Sequence, residues 1–196
     1  MDDAILVERA RNGDFTAVEE LLTRHQSVAY TAALRLLGSP ADAEDIAQDA
    51  LVRAYTKLDG LAPGGNFAAW LRRIAINLSL NALRRRGLIR FEPFGVTPGD
   101  RDGEAPPRDF VDETTTTPEQ DVVSAELRDE IDELVRTLPP DQRVAVVLRD
   151  MYGYDVAEVA ELQRCGLSAA KMRIVRGRAH LRKIIEARRA DGRMPA

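Results

Sequence analysis

At 196 residues with 28 basic and 32 acidic side chains, the chain has room for one ordinary domain or two small ones. Charged residues make up 31% and aromatics 5%, a balance rich in Ala, Leu, Arg and Glu that favours helices over sheets. No apolar run reaches the roughly 18 residues a membrane-spanning helix needs, and MDDAILVERARNGD carries acids where a signal peptide needs positive charge, so a cytoplasmic protein without membrane insertion is expected.

In chain order, Asp2 is expected to cap a short helix ending before Gly13. Asp14 caps a second through FTAVEELLTRHQSVAYTAALRLL, stopped by Gly38. Ser39-Pro40 opens a third, running to about Leu58, because proline is tolerated in the first turn. After the loop DGLAPGG, Asn66 caps a fourth helix from Phe67 to about Arg86, with Gly87 as its stop. Residues 88–117 then lose all helical period, and GVTPGDRDGEAPPRDF and a run of threonines read as an acidic, flexible linker. Thr117-Pro118-Glu119-Gln120 forms a capping box for a helix to about Thr137. Pro139-Pro140 breaks the chain before a helix over DQRVAVVLRDMY. Gly153-Tyr154 turns, Asp155 and Glu158 open the short helix VAEVAELQ, RCGL turns tightly, and Ser168 caps a long last helix. A short helix, a tight turn and a basic helix make a helix-turn-helix pattern.

The charge is unevenly laid out. Residues 1–87 hold 11 basic and 11 acidic side chains, residues 88–123 hold 3 and 9, and residues 168–196 hold 9 and 2. The basic end is therefore a local feature suited to phosphate. At about 100° per residue, Met172, Val175 and Ala179 of the last helix share a face and are expected to pack inward. Lys171, Arg178 and Arg182 line one flank of that face, Arg176 and Lys183 the other, and Arg173 lies further out. Such a helix suits a major groove, and a solvated basic face is the plainer alternative.

In the fourth helix Phe67, Leu71, Ile74, Leu78 and Ala82 form the expected core stripe. Beside it run Trp70, Arg73, Asn77, Asn81 and Arg84, a line able to stack a base, hold phosphate and read base edges. The alternative is that Trp70 completes the core and the asparagines are solvated. In the third helix Ala47, Ala50, Leu51, Ala54 and Leu58 are expected to face inward, and Asp42, Asp45 and Asp49 share another face with Val52. Spacing alone favours attraction to the helix dipole as the reason for these acids, over docking of a basic helical partner. No nucleophile-base set, glycine-rich phosphate loop or metal motif emerges, and His25, His180 and Cys165 make no zinc constellation. No catalytic residue, metal or cofactor is expected. Cys165 reads as a small buried plug, with a redox role as the alternative.

Taken together, these stretches resemble the group 4, extracytoplasmic-function sigma factors of bacterial RNA polymerase. AILVERARNGDFTAVEELLTRHQSVAYTAALRLLG is similar to the start of sigma domain 2. DAEDIAQDALVRAYTKL resembles the family's core-polymerase-binding helix, and FAAWLRRIAINLSLNALRRR the helix that melts and reads the −10 element. LPPDQRVAVVLRDMYGYDVAEVAELQ with the basic helix resembles domain 4, which reads the −35 element. The resemblance implies an all-α fold of two small helical domains, 1–87 and 118–190, joined by linker 88–117 and followed by tail 191–196. It implies a non-enzymatic initiation factor whose partners are core RNA polymerase (the β′ coiled coil and the β subunit), promoter DNA and an anti-sigma factor.

It also implies roles for residues. Asp45, Gln48, Asp49 and Val52 would bind core polymerase. Asn66, Phe67, Trp70, Arg73, Asn77, Asn81 and Arg84 would meet −10 DNA, with Asn77 near a flipped base whose pocket is shaped by the loop from Leu61 to Asn66. Ser168, Lys171, Arg173, Arg176 and Arg178 would meet −35 DNA. The linker would thread the polymerase interior. The chain departs from the family where Arg164 stands at a position commonly glycine and Ala169 at one commonly threonine. Gly177, inside the recognition helix, is expected to cost about 1 kcal/mol against alanine.

Overall fold

The computed structural model describes residues 2–89 and 118–191, with backbone alone for 118–126. Every regular element among the described residues is helical. The helices form two compact units. The first holds α1 (Asp3–Arg11), α2 (Phe15–Leu37), α3 (Pro40–Thr56) and α4 (Phe67–Arg85), with a 3-10 turn at Leu58–Gly60. The second holds α5 (Pro118–Arg136), α6 (Pro140–Val146), α7 (Val156–Leu162) and α8 (Leu167–Ala190).

The predicted caps of the first unit form. Asp2 accepts from the Ala4 N–H at 3.4 Å, and Asp14 from the Thr16 and Ala17 N–H groups at 3.0 and 3.2 Å. The Asp14 carboxylate also accepts from Arg9 Nε at 2.8 Å, which holds its pKa below the usual carboxylate value with help from the Ala17 N–H. Ser39 Oγ accepts from the Asp42 N–H, and Gly38 ends α2 in the left-handed conformation at φ 74°. Within the unit α2 is the central helix, packed on α1, α3 and α4. Its contacts run through small side chains: Ala29, Ala32 and Ala33 of α2, Ala43, Ala47, Ala50 and Ala54 of α3, and Ala75 of α4 are all buried. Alanine at a crossing lets helix axes approach closely, and leucines such as Leu21, Leu36, Leu71 and Leu80 fill the space on either side. Leu58 is buried as expected, but it lies in the 3-10 turn after α3 ends, and Leu51 is only half-buried.

Of the expected linker only Leu88 and Ile89 fall among the described residues, and the Thr117 capping box lies outside them. The expected helix over DQRVAVVLRDMY is two segments. After α6 the backbone widens into a π turn over Val147–Met151, and the Tyr152 N–H reaches back to the Val147 carbonyl at 3.1 Å. The wide turn leaves Val144, Ala145, Val146, Val147 and Leu148 all buried, so five successive side chains serve the core where a regular helix would turn some outward. The predicted capping box of α7 forms in both directions: Asp155 Oδ1 accepts from the Glu158 N–H at 2.9 Å, and Glu158 Oε2 from the Asp155 N–H at 2.7 Å.

The turn into α8 resolves the first departure from the family pattern. The Cys165 N–H donates to the Ala160 carbonyl and the Arg164 N–H to the Glu161 carbonyl, both at 2.9 Å, which is a Schellman closure. Arg164 occupies its left-handed position at φ 48°. An L-residue there costs roughly 1–2 kcal/mol, and glycine would not bear that cost. The turn therefore keeps the geometry of a glycine turn with an arginine in it. Ser168 does not cap α8. The helix begins two residues earlier than that cap would set, at Leu167, with Gly166 at the cap position and no side-chain cap bond, so Ser168 is an exposed residue of the first turn.

Candidate nucleic-acid interfaces

On α8 the buried face differs from the expected one. Ala170, Arg173, Ile174 and Gly177 are buried, whereas Met172 and Val175 are 47% and 57% exposed and Ala179 is also exposed. The reason is the approach of α6. A Cβ built on Gly177 would lie 2.6 Å from Val146 Cγ2 and 3.3 Å from the Gln142 carbonyl oxygen. The glycine is the contact point of the two helices, and its backbone freedom is the cost of that closeness. Arg173 is 7% exposed, lays its stem against the core and turns its guanidinium to Asp141 at 3.6 Å. It therefore supports the helix and is withdrawn from the outward surface. Gln163, also buried, donates from Nε2 to the Asp141 carbonyl at 2.8 Å. One residue at the start of α6 thus holds both the turn and α8.

The outward face of α8 carries Ser168, Lys171, Met172, Val175, Arg176, Ala179, Arg182 and Lys183, all exposed. Arg178 is exposed as well, but Asp150 holds it with two hydrogen bonds, the Nε one at 3.0 Å, which raises its pKa. Its charge is therefore partly spent within the unit. Cations flanking two exposed apolar side chains can meet phosphates on the rims of a groove and thymine methyls on its floor.

On α4 the expected core stripe is buried except for Ile74, which is half-buried. Phe67 is 2% exposed and belongs to the core, not to an outward surface. It lies behind Trp70: the two rings are 5.9 Å apart at 53°, and the His25 ring meets Phe67 at 5.4 Å. His25 is in turn held by Asp3, Nε2 to Oδ2 at 2.6 Å. Trp70 is half-buried, so one side of its indole is supported and another remains accessible. Arg73, Asn77, Asn81 and Arg84 follow it, each half-buried, and Arg84 donates to Asn81 Oδ1 so that these two act as a unit. Asn66 caps the helix, its Oδ1 accepting from the Ala69 N–H at 2.9 Å.

On α3 Asp45, Gln48, Asp49 and Val52 are exposed, Val52 at 61%, and Tyr55 beside them is 46% exposed. Asp42 lies in the first turn, where the helix dipole rewards it. Asp45 and Asp49 are beyond that reach and repel each other at i,i+4 spacing, so the dipole does not explain them. Cys165 is half-buried. Among the described residues no group of three or more His, Cys, Asp or Glu could hold a metal ion, and no helix is long and apolar enough to cross a membrane.

Two all-α units, one with an aromatic-amide-arginine line and the other with a helix-turn-helix bearing a cationic outer face, define a DNA-binding protein. Comparison with known proteins specifies the class. Residues 21–89 match Sigma-70 region 2, and residues 128–181 match Sigma-70, region 4. The chain is 30% identical over 177 residues to the ECF RNA polymerase sigma factor SigW of Bacillus subtilis, covering 90% of this chain and 93% of that one. It is 36% identical over 164 residues to ECF RNA polymerase sigma factor SigE of Mycolicibacterium smegmatis, covering 84% of this chain and 60% of the relative. A solved structure of the sigma factor RpoE in complex with the anti-sigma factor NepR from Bartonella quintana is similar with a TM-score of 0.48 and 23% identity, covering 86% and 96% of the two chains. The chain belongs to the ECF group of the sigma-70 family, RNA polymerase sigma factors that direct promoter-specific transcription initiation.

Proposed function

We propose that the first unit is the core-polymerase and −10 domain, the second the −35 domain, and that the protein works in the cytoplasm without chemistry of its own. Asp45, Gln48, Asp49 and Val52 of α3 dock on the coiled coil of the polymerase β′ subunit. Trp70, Arg73, Asn77, Asn81 and Arg84 of α4 receive the −10 element, with Phe67 bracing Trp70 from behind, and the loop from Leu61 to Asn66 borders the pocket of an extruded base. Ser168, Lys171 and Arg176 of α8 meet the −35 element, and Met172 and Val175 add the apolar part of that contact. An anti-sigma factor holds the protein inactive by covering these same faces.

The observation that carries this reading is the outward face of α8, where apolar and cationic side chains stand exposed together behind a well-closed turn. Met172 and Val175, exposed in the free protein, gain burial when the helix enters a groove. The whole chain is acidic, net −4, which weakens binding of the free protein to DNA and leaves specificity to the polymerase complex.

Run-off transcription tests the reading. Purified protein and core polymerase are incubated with a pool of genomic promoter fragments. Promoter-specific transcripts that depend on the protein support it and yield both promoter elements. Absence of core binding would leave a stand-alone helix-turn-helix regulator. In the same system Asp45→Arg is expected to weaken core affinity about tenfold, the scale of a charge placed wrongly at an interface. Unchanged affinity in a binding titration would remove α3 from the interface.

A further inference from the structure

The loop between α3 and α4 is held at its foot by a side chain from α1. Arg11, half-buried, donates to the Leu58 carbonyl at 3.2 Å and to the Leu61 carbonyl, reaching 47 and 50 residues along the chain. Leu58 and Leu61 are themselves buried, and the Leu61 N–H closes on the Leu58 carbonyl at 3.2 Å. Above this foot Ala62, Pro63, Gly64 and Asn66 are exposed. The tip folds back tightly: Gly64 sits at φ 72°, and a Cβ on Gly65 would lie 2.9 Å from Leu61 Cδ1 and 3.0 Å from the Ala62 oxygen. The tip therefore packs on Leu61, the residue whose carbonyl Arg11 holds.

Burying part of a guanidinium is costly unless its donors are used. Arg11 faces two carbonyls, not a carboxylate, and its Nε is buried without a hydrogen-bond partner. Two carbonyls three residues apart in the chain are thereby tied to one planar, rigid fork. The placement makes sense if the loop has to keep one shape. We propose that Arg11 is a positioning residue for base capture: by fixing two carbonyls at the foot of the loop, it sets the edge that an extruded base of the −10 element meets. The inference rests on the assignment of this loop to that base under Proposed function. Arg11 touches no DNA and acts through the loop. A preset edge lowers the ordering cost when the base leaves the stack.

The test uses the full chain assembled with core polymerase on a promoter recovered by the run-off selection. 2-Aminopurine is placed in turn at each non-template position of the −10 element, and its fluorescence rises where a base leaves the stack. Arg11→Met keeps the apolar stem and removes the donors. It is expected to slow that rise about tenfold, the scale of losing one or two hydrogen bonds to a charged group. Core affinity and transcription from a pre-opened heteroduplex promoter should stay at wild-type levels. Arg11→Lys, which retains a charged donor, should recover part of the rate. A purely structural role would instead lower core affinity, melting temperature and heteroduplex transcription together, and that pattern overturns the proposal. So does a wild-type rate with Arg11→Met. If the wild-type complex shows no fluorescence rise at any position, the reading of the loop fails, not the Arg11 clamp alone. Should Arg11→Met not fold, Arg11→Gln, which cannot span both carbonyls, takes its place with the same opposed outcomes.

Discussion

Gly177→Val is expected to unfold the second unit more than 10 °C below the wild type. Two opposing terms decide the size. Replacing glycine inside a helix with a residue that has a side chain gains at most about 1 kcal/mol, and less for a β-branched one. Against this, even the first carbon of the new side chain would lie 2.6 Å from Val146 Cγ2 and 3.3 Å from the Gln142 backbone oxygen. Val146 is 3% exposed and stiff about its first torsion, so it has no room to swing aside. Overpacking of this kind costs about 1–3 kcal/mol for added methylenes and more where backbone must move. A net loss near 3 kcal/mol lowers the melting temperature of a small unit by roughly 12–24 °C. Gly177→Ala should fall between, because its propensity gain offsets part of the clash. The measurement has an internal control: the chain has one tryptophan, and Trp70 is in the first unit. Circular dichroism should show the early transition while Trp70 fluorescence melts as before. A Gly177→Val protein melting like the wild type would mean that α6 and α8 can part freely.

Arg173 and Arg176, one helical turn apart in sequence, should behave as opposites. Arg176→Ala removes an exposed cation from the outer face of α8. Transcription from a −35-dependent promoter should fall about tenfold with no change in melting, and the salt dependence of complex formation should lose about one unit of slope. Lys171→Ala should behave likewise. Arg173→Ala should instead destabilise the second unit by about 1–3 kcal/mol, because it deletes a buried stem and the charged head that faces Asp141 at 3.6 Å. Its salt slope should not change once the folded fraction is accounted for. Arg176→Ala with an unaltered salt slope would reduce the cationic face to an ordinary solvated surface.

Much of the fold was legible because its punctuation is local. Asp2, Asp14, Ser39, Asn66 and Asp155 are cap residues that need only their own helix to act, and each does so. On α4 Phe67, Leu71, Leu78 and Ala82 were visible from their helical spacing, but Ala75, Ile76, Ser79, Leu80 and Leu83 are buried as well, because the helix is covered over a wider arc than one stripe. The buried stripe of α8 was not visible, because two of its four members are an arginine and a glycine, which no hydrophobic period counts. Met172, Val175 and Ala179 offered a false stripe that α6 never covers. Phe67 stood beside Trp70 in sequence, and only the ring packing separates the brace from the exposed member. Arg11 carried no signal at all, since its partners lie about fifty residues away and are backbone atoms that any sequence would supply.

The interleaving on α8 has a consequence for how such a helix changes over lines of descent. Ala170, Arg173, Ile174 and Gly177 hold it in place, and Lys171, Met172, Val175, Arg176 and Ala179 face away from the fold. The two sets share no member. Substitutions in the outer set meet little packing constraint, so drift there can rewrite the outer surface of the helix at almost no cost in folding. Substitutions in the inner set are tested by folding first, whatever they would do for recognition. Duplicate copies of this chain could therefore part company in target while remaining superimposable in shape, and the record of that divergence would be written on one side of a single helix.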